Sequence, residues 1–205
     1  YIETWTAEDV CGRPLTSVSR TVTILQDMAS LESTIYFASE AAMPEQARLD
    51  LLNLYINLSN IPEPILAHAA VFGGGETLTP GVYSTAAAGS LGGELILDGE
   101  NKDNSLFIIK YNGAFSVAAS SKVRLINGQK ASNVFWVAEG AITVGASSII
   151  KGTLLAHAGA VSLGAGCDLE GRMFSTAGAT IVGAGGKLEL PNDPTGLPII
   201  CVNSS

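Results

Sequence analysis

Charge is scarce in this chain. Of 205 residues, 15% are charged and 6% aromatic, and 11 Lys and Arg face 19 Asp and Glu for a net charge of −8. The shortage of basic residues argues against a partner such as DNA, RNA or an anionic membrane face. Long apolar runs are missing too. Leu197 to Val202, the longest tempting stretch, falls far short of the roughly 20 residues of a membrane span. Cysteine amounts to Cys11, Cys167 and Cys201, with no CxxC and no metal-ligand spacing. Neither a metal nor another cofactor is expected. A Cys11–Cys201 bridge would tie the two ends together in an oxidising compartment, and three unpaired thiols are the alternative. Low charge does not mean disorder here, because 47% of the residues are apolar. The length suits one domain with a substantial core. The chain opens at Tyr1, as a processed or trimmed form would. Asn57-Leu58-Ser59 and Asn203-Ser204-Ser205 read as glycosylation triplets, which also arise by chance.

What is abundant is small: 23 Gly, with many Ala, Ser and Thr. Residues 1–32 form an N-terminal arm with one strand signal, Ser17 to Ile24, in which Val18, Val22 and Ile24 share a face that Arg20 interrupts. A short strand, Ser33 to Phe37, should follow. Pro44 then opens a helix over 44–59, with Glu45 near the positive end of its dipole. Ala47, Leu51, Leu54, Tyr55 and Leu58 fall on one buried face, and Asn60 and Pro62 stop it. From Ile61 to about Asp103 the chain is turn-rich, with short strands such as Gly93 to Leu97. Its Gly runs open no helix and match no GxxxxGK[ST] or GxGxxG, so they do not read as a nucleotide site.

The decisive signal is an internal repeat. Val134 to Gly152, Thr153 to Gly171 and Arg172 to Leu190 align as three blocks of 19 residues without a gap. Gly140, Gly159 and Gly178 coincide, as do Gly145, Gly164 and Gly183, and between them lie Ala141-Ile142-Thr143-Val144, Ala160-Val161-Ser162-Leu163 and Ala179-Thr180-Ile181-Val182. An earlier block, Gly113 to Val117 and then Val123, fits with one insertion. A period near 19 with short alternating runs predicts a mainly β fold, a three-sided parallel β-solenoid in which each turn is three strands joined at tight corners.

Several motifs resemble the ice-binding protein family of bacteria, fungi and algae. They are Leu78-Thr79-Pro80-Gly81-Val82-Tyr83, Leu95-Ile96-Leu97-Asp98-Gly99, Asn133-Val134-Phe135-Trp136, Lys151-Gly152-Thr153-Leu154-Leu155-Ala156 and Glu170-Gly171-Arg172. The resemblance covers roughly residues 33 to 190. It implies an irregular right-handed β-solenoid with a long α-helix alongside, spanning 33–205, and a secreted, extracellular protein that binds ice. One departure stands out. The family's longer segment before the helix supplies solenoid strands, whereas here only 32 residues precede Ser33 and read differently. The missing strands would leave an open edge, which is a template for another strand. The strand holding Val18, Val22 and Ile24 could fill it within the chain or act as a donor strand in a neighbouring copy, giving a self-assembling filament.

Ice offers no charge and no cavity, so a flat, regular array of small groups is the surface to seek. Alternation points Ile142, Val144, Val161, Leu163 and Val182 inward. It points Ala141, Thr143, Ala160, Ser162, Ala179 and Ile181 outward, joined by Ala114 and Ser116 from the earlier turn. This ladder is the candidate ice-contact or stacking face. A second side carries Ile149, Asp168 and Lys187 with Lys151, Glu170 and Glu189, and reads as solvated. The third, with Ala138, His157 and Thr176, and Val137, Ala156 and Ser175, is mixed and a natural seat for the helix. Nothing reads as an enzyme: Asp168, Glu170 and Glu189 sit on the repeated charged strand, and His68 and His157 are too few and too far apart. Trp136 reads as core. Two functions remain, an extracellular protein that adsorbs to ice and a filament subunit whose partners are other copies of itself.

Overall fold

A computed structural model describes residues 2–5, 18–21, 42–61 and 65–191. The first two stretches, β1 (Ile2–Trp5) and β2 (Val18–Thr21), pair antiparallel, Ile2 opposite Thr21 and Trp5 opposite Val18. This hairpin belongs to a separate compact unit from residues 42–196. Val22, Ile24, Cys11, Cys201 and the expected strand Ser33–Phe37 lie outside the described residues.

The larger unit opens with α1 (Ala42–Ser59) and then winds through six turns of a parallel β-solenoid. The first turn is β3 (Ile65–Ala67), β4 (Val71–Gly73) and β5 (Glu76–Leu78). The second is β6 (Gly81–Thr85), β7 (Gly89–Gly92) and β8 (Glu94–Asp98), so the expected strand from Gly93 starts one residue later, Gly93 itself being a corner at φ +70°. The third is β9 (Phe107–Tyr111), β10 (Phe115–Val117) and β11 (Lys122–Ile126), and the fourth begins with β12 (Val134–Ala138) and β13 (Ile142–Val144). From there two long strands each turn a corner without a break. β14 (Ile149–Ala156) ends the fourth turn and opens the fifth, β15 (Val161–Leu163) follows, and β16 (Asp168–Ser175) leads to β17 (Thr180–Val182) and β18 (Lys187–Glu189).

The 19-residue period holds where the turns are plain. Ile142 pairs with Val161 and Val161 with Thr180, while Asp168 pairs with Lys187. The ungapped alignment fails at one strand. Trp136 pairs with Leu154 and Ala138 with Ala156, one residue short of the period, and the corner after Ala156 takes the extra residue before Val161 restores it. The third turn is longer, with Phe115 paired to Ile142, 27 positions on.

Inward side chains stack turn upon turn. On the side built from β4, β7, β10, β13, β15 and β17 the row is Phe72, Leu91, Val117, Val144 and Leu163, none more than 4% exposed. Val182 continues the row at the last turn but is 44% exposed, and Leu188 is 50% exposed beside Leu169 at 1%. The wider middle turns are filled by aromatics. Phe72 meets Tyr111 edge-on, Tyr111 stacks on Phe115 at 4.3 Å, and Phe115 stacks on Trp136 at 5.4 Å. Four of the chain's few aromatic residues therefore stand in one column. Trp136 is fully buried and gives its indole N–H to the Lys151 carbonyl at 2.9 Å.

Where the long strands bend, Gly152 of β14 lies against Gly171 of β16, and a Cβ on Gly171 would fall 1.8 Å from the Gly152 oxygen. The helix covers one side. Leu58 buries against Ile108, Val137 and Leu155, with Leu51, Leu54, Tyr55, Phe135 and Phe174 packed around them. Ala47 is exposed, because the buried stripe begins one turn later, at Leu51.

Candidate functional site

Each of the three sides of the solenoid has a different chemistry. The helix side, formed by β3, β6, β9, β12 and the second halves of β14 and β16, is occupied by α1. Tyr55 holds the helix there, its ring stacked on His157 at 4.3 Å and its hydroxyl donating to the Glu139 carboxylate. Partial burial, then that carboxylate, push the Tyr55 phenol above its ordinary value. The rows here differ from the sequence expectation. Ala138, Ala156 and Ser175 form one register row, its two alanines fully buried, while Val137, Leu155 and Phe174 form the row that meets the helix. His157 and Thr176 lie at the following corner, joined through His157 Nδ1 and Thr176 Oγ1 at 2.8 Å.

The second side, β5, β8, β11, the first halves of β14 and β16, and β18, is charged as expected. Ile149, Asp168 and Lys187 fall in one row, and Lys151, Glu170 and Glu189 in the next. Lys151 Nζ sits 2.6 Å from Glu170 Oε2, and Arg124 Nε lies 3.2 Å from Glu94 Oε1.

The third side carries the candidate face. Register fixes one outward row across all six turns: Val71, Ser90, Ser116, Thr143, Ser162 and Ile181. Beside it runs a row of alanines, Ala114, Ala141, Ala160 and Ala179, each preceding an inward residue. Ser116, Thr143, Ser162 and Ile181 of the expected face thus lie on one sheet, with the four alanines at the corners just before its strands, and the inward partners Ile142, Val144, Val161 and Leu163 are buried. Three positions escaped the sequence reading. Val71, at 66% exposure, and Ser90 extend the row by two turns, and Ala88 adds to the alanine row opposite Ala114. The repeat did not reach them because the longer second and third turns put their partners out of step with the 19-residue period. The signal that could have found them was local, a Gly-Ser-Leu-Gly strand between two glycines.

The spacing of this grid follows from the sheet. Successive turns are about 4.8 Å apart, and outward residues along a strand about 6–7 Å apart. Glycines keep the turns this close: a Cβ on Gly145, Gly164 or Gly183 would fall 2.5 to 2.7 Å from the backbone nitrogen of the turn below. No strand of this side carries an ionisable residue. Among the described residues, the hydroxyls of Ser90, Ser116, Thr143 and Ser162 are not taken up by protein partners. The surface has methyls, free hydroxyls and a fixed lattice, with no cavity and no group able to move a proton.

Among the described residues, the two histidines and Cys167 serve packing. His68 Nε2 pairs with Glu76 at 3.2 Å and its ring stacks on Phe72. Among the described residues no three His, Cys, Asp or Glu gather as a metal site. Cys167 is buried and free, with Sγ 3.0 Å from the Gly145 carbonyl. Val18 of the candidate donor strand lies opposite Trp5 in the hairpin.

Comparison with known proteins gives one consistent result. The family described as ice-binding-like matches residues 4–184. An ice-binding protein from Nostoc sp. is 33% identical over 129 residues, 62% of this chain and 46% of that protein. Ice-binding protein 1 of Shewanella frigidimarina is 37% identical over 124 residues, 58% of this chain but 14% of that protein. The chain thus spans less than half the length of these two relatives. Among solved structures, a domain of Shewanella frigidimarina ice-binding protein 1 superposes with a TM-score of 0.70 at 31% identity, covering 76% of this chain and 66% of that one. An ice-binding protein from an Antarctic Flavobacteriaceae bacterium gives 0.70 at 39%, covering 74% and 36%.

Proposed function

The chain belongs to the ice-binding-like family, and from that premise we propose that it adsorbs to ice through the uncharged side of its solenoid and so restrains crystal growth. Members of this family are not enzymes, and neither is this chain. The observation that carries the reading is the six-turn row from Val71 to Ile181, locked in register and flanked by alanines.

Ice presents a repeating lattice of oxygens with no charge, so recognition has to be cooperative over many weak contacts. Methyl groups of Ala141, Ala160 and Thr143 hold water in ordered cages without binding it tightly. The hydroxyls of Ser90, Ser116, Thr143 and Ser162 tie those waters to the protein. Side-chain entropy lost on adsorption is small, because Ala loses none and Ser and Thr little. A charged residue would instead keep a tightly held, liquid-like shell, and this side has none. Once pinned at many points, an ice front can advance only as a curved surface between bound molecules, which is less favourable than a flat one.

Such a protein works outside the cell, where ice forms, and we read the chain as secreted. No described helix is long and apolar enough to cross a membrane. The filament reading has no support among the relatives, which are described as ice-binding proteins.

The test is ice-recrystallisation inhibition by the purified chain. The parent should keep ice grains small at micromolar concentration. Thr143→Tyr, which places a bulky ring at the centre of the row, should abolish the effect while leaving the circular dichroism spectrum unchanged. Grains that coarsen in the parent as in buffer would refute the proposal.

A further inference from the structure

The last three residues of α1 are Asn57-Leu58-Ser59, and the fold makes no use of the asparagine side chain. Asn is a weak helix former. This one is exposed and, among the described residues, has no hydrogen-bond partner. Its neighbours in the triplet are tied down. Leu58 is 4% exposed and packs against Ile108, Val137 and Leu155. The Ser59 carbonyl accepts a hydrogen bond from Lys110 Nζ at 3.1 Å, and the Ser59 hydroxyl faces the Tyr55 phenol. Asn57 instead continues an exposed row with Leu49 and Asn53, and Ile56 beside it is 42% exposed.

We infer that Asn57 is a site of N-linked glycosylation and carries an oligosaccharide in the secreted protein. This rests on the reading of the chain as secreted. The donor is a polyprenyl-diphosphate-linked oligosaccharide. Asn57 Nδ2 attacks the anomeric carbon of its first sugar and an N–C bond forms. The bond from that carbon to the diphosphate oxygen breaks, the polyprenyl diphosphate leaves with the electron pair, and one Nδ2 proton passes to a base. Ser59 supplies the hydroxyl that the transferase reads two residues on.

The fold allows this in one order only. Successive helical residues stand about 100° apart, so in α1 Asn57 and Ser59 are about 200° apart, on opposite flanks of Leu58. One binding surface cannot meet both, and transfer has to precede the helix. The chain order provides the interval. Most of the stability of an 18-residue helix in a protein comes from packing, and the solenoid that α1 packs on follows it in the chain. The triplet is therefore still extended when it first emerges. After folding, the oligosaccharide stands in solvent over Ile56. The helix lies on a different side of the solenoid from the candidate ice face, so that face stays open.

The test uses the full chain, expressed in yeast behind a cleavable secretion signal, with Asn203→Gln in every version so that the other triplet is removed. The intact mass should rise by one oligosaccharide, and peptide N-glycosidase F should remove the increment. Asn57→Gln and Ser59→Ala should each abolish it, whereas Ser59→Thr, which keeps the hydroxyl, should retain it. Asn57→Gln removes no contact and should keep the parent's circular dichroism spectrum. Chain retained in the cells is measured in the same way, so poor export of a variant does not hide the result. An increment absent from both exported and retained chain, or one that survives Ser59→Ala, would overturn the inference. Because the added signal supplies entry to the secretory route, either result would count against the site and leave the secretion reading untouched.

Discussion

Two tyrosines show how position decides what a hydroxyl does. Tyr55 donates to Glu139 at the surface of the helix side, whereas the Tyr111 hydroxyl is buried without a hydrogen-bond partner among the described residues. Tyr111 earns its place as a ring: it stacks on Phe115, meets Phe72, and lies so close to Gly89 that a Cβ there would fall 2.5 Å from it. Tyr111→Phe keeps those contacts and removes an unsatisfied polar group, so it should stabilise the fold by about 1 kcal/mol in urea unfolding, and Tyr55→Phe should cost about 1–2 kcal/mol. The same pair sets an alkaline limit. Both phenols titrate above their ordinary value, Tyr111 far above it, first through burial and then through Glu76. A raised folded pKa leaves stability intact below the unfolded value near 10 and removes it as the pH climbs from there towards the folded value. Unfolding free energy should therefore hold level up to about pH 9 and fall above about pH 10, less steeply in Tyr111→Phe. Destabilisation of Tyr111→Phe at neutral pH would show that the hydroxyl has a partner.

At the scale of the element, the strands carrying Ile142, Val161 and Thr180 could be read from the sequence because each begins after a Gly-Ala pair and the first two alternate apolar, polar, apolar, which fixes the register of the third. The strand Val134–Ala138 was placed one residue out of step. Its Phe-Trp-Val run is apolar on both faces, since one packs into the core and the other against α1, so alternation gave no phase. The helix was legible from Leu51 to Leu58, where it touches the solenoid, and misread at Ala47, where nothing covers it. Val71 and Ser90 were missed for the reason that the second and third turns depart from 19 residues. The bend shared by β14 and β16 makes the sharpest prediction at this scale. Gly171→Ala would drive a methyl into the Gly152 carbonyl, and two packed turns would have to part. That should cost about 3 kcal/mol or more, seen as a lower denaturation midpoint. A tolerated alanine would mean that the turns are not so closely stacked.

The larger unit is a stack of six turns in which each turn shields the next. Stability should grade along it. Leu169→Ala removes a side chain covered above and below, and should cost about 2–5 kcal/mol. Leu188→Ala, one turn further in the same row and half exposed, should cost under about 1.5 kcal/mol. Equal losses would mean that the last turn is capped as firmly as the fifth. The segregation of chemistry by side is the central claim: helix on one, charge on another, small uncharged groups on the third. No ionisable residue lies on the third side's strands, so ice adsorption should not change between about pH 5 and pH 9, where the fold itself is stable. The most direct measurement is ice-affinity partitioning of two fluorescently labelled variants, Thr143→Tyr on the uncharged side and Asp168→Tyr on the charged side. Thr143→Tyr should stay in the liquid and Asp168→Tyr should enter the ice with the parent. Retention of Thr143→Tyr in the ice, or loss of Asp168→Tyr from it, would show that the uncharged side is not the ice-contact surface.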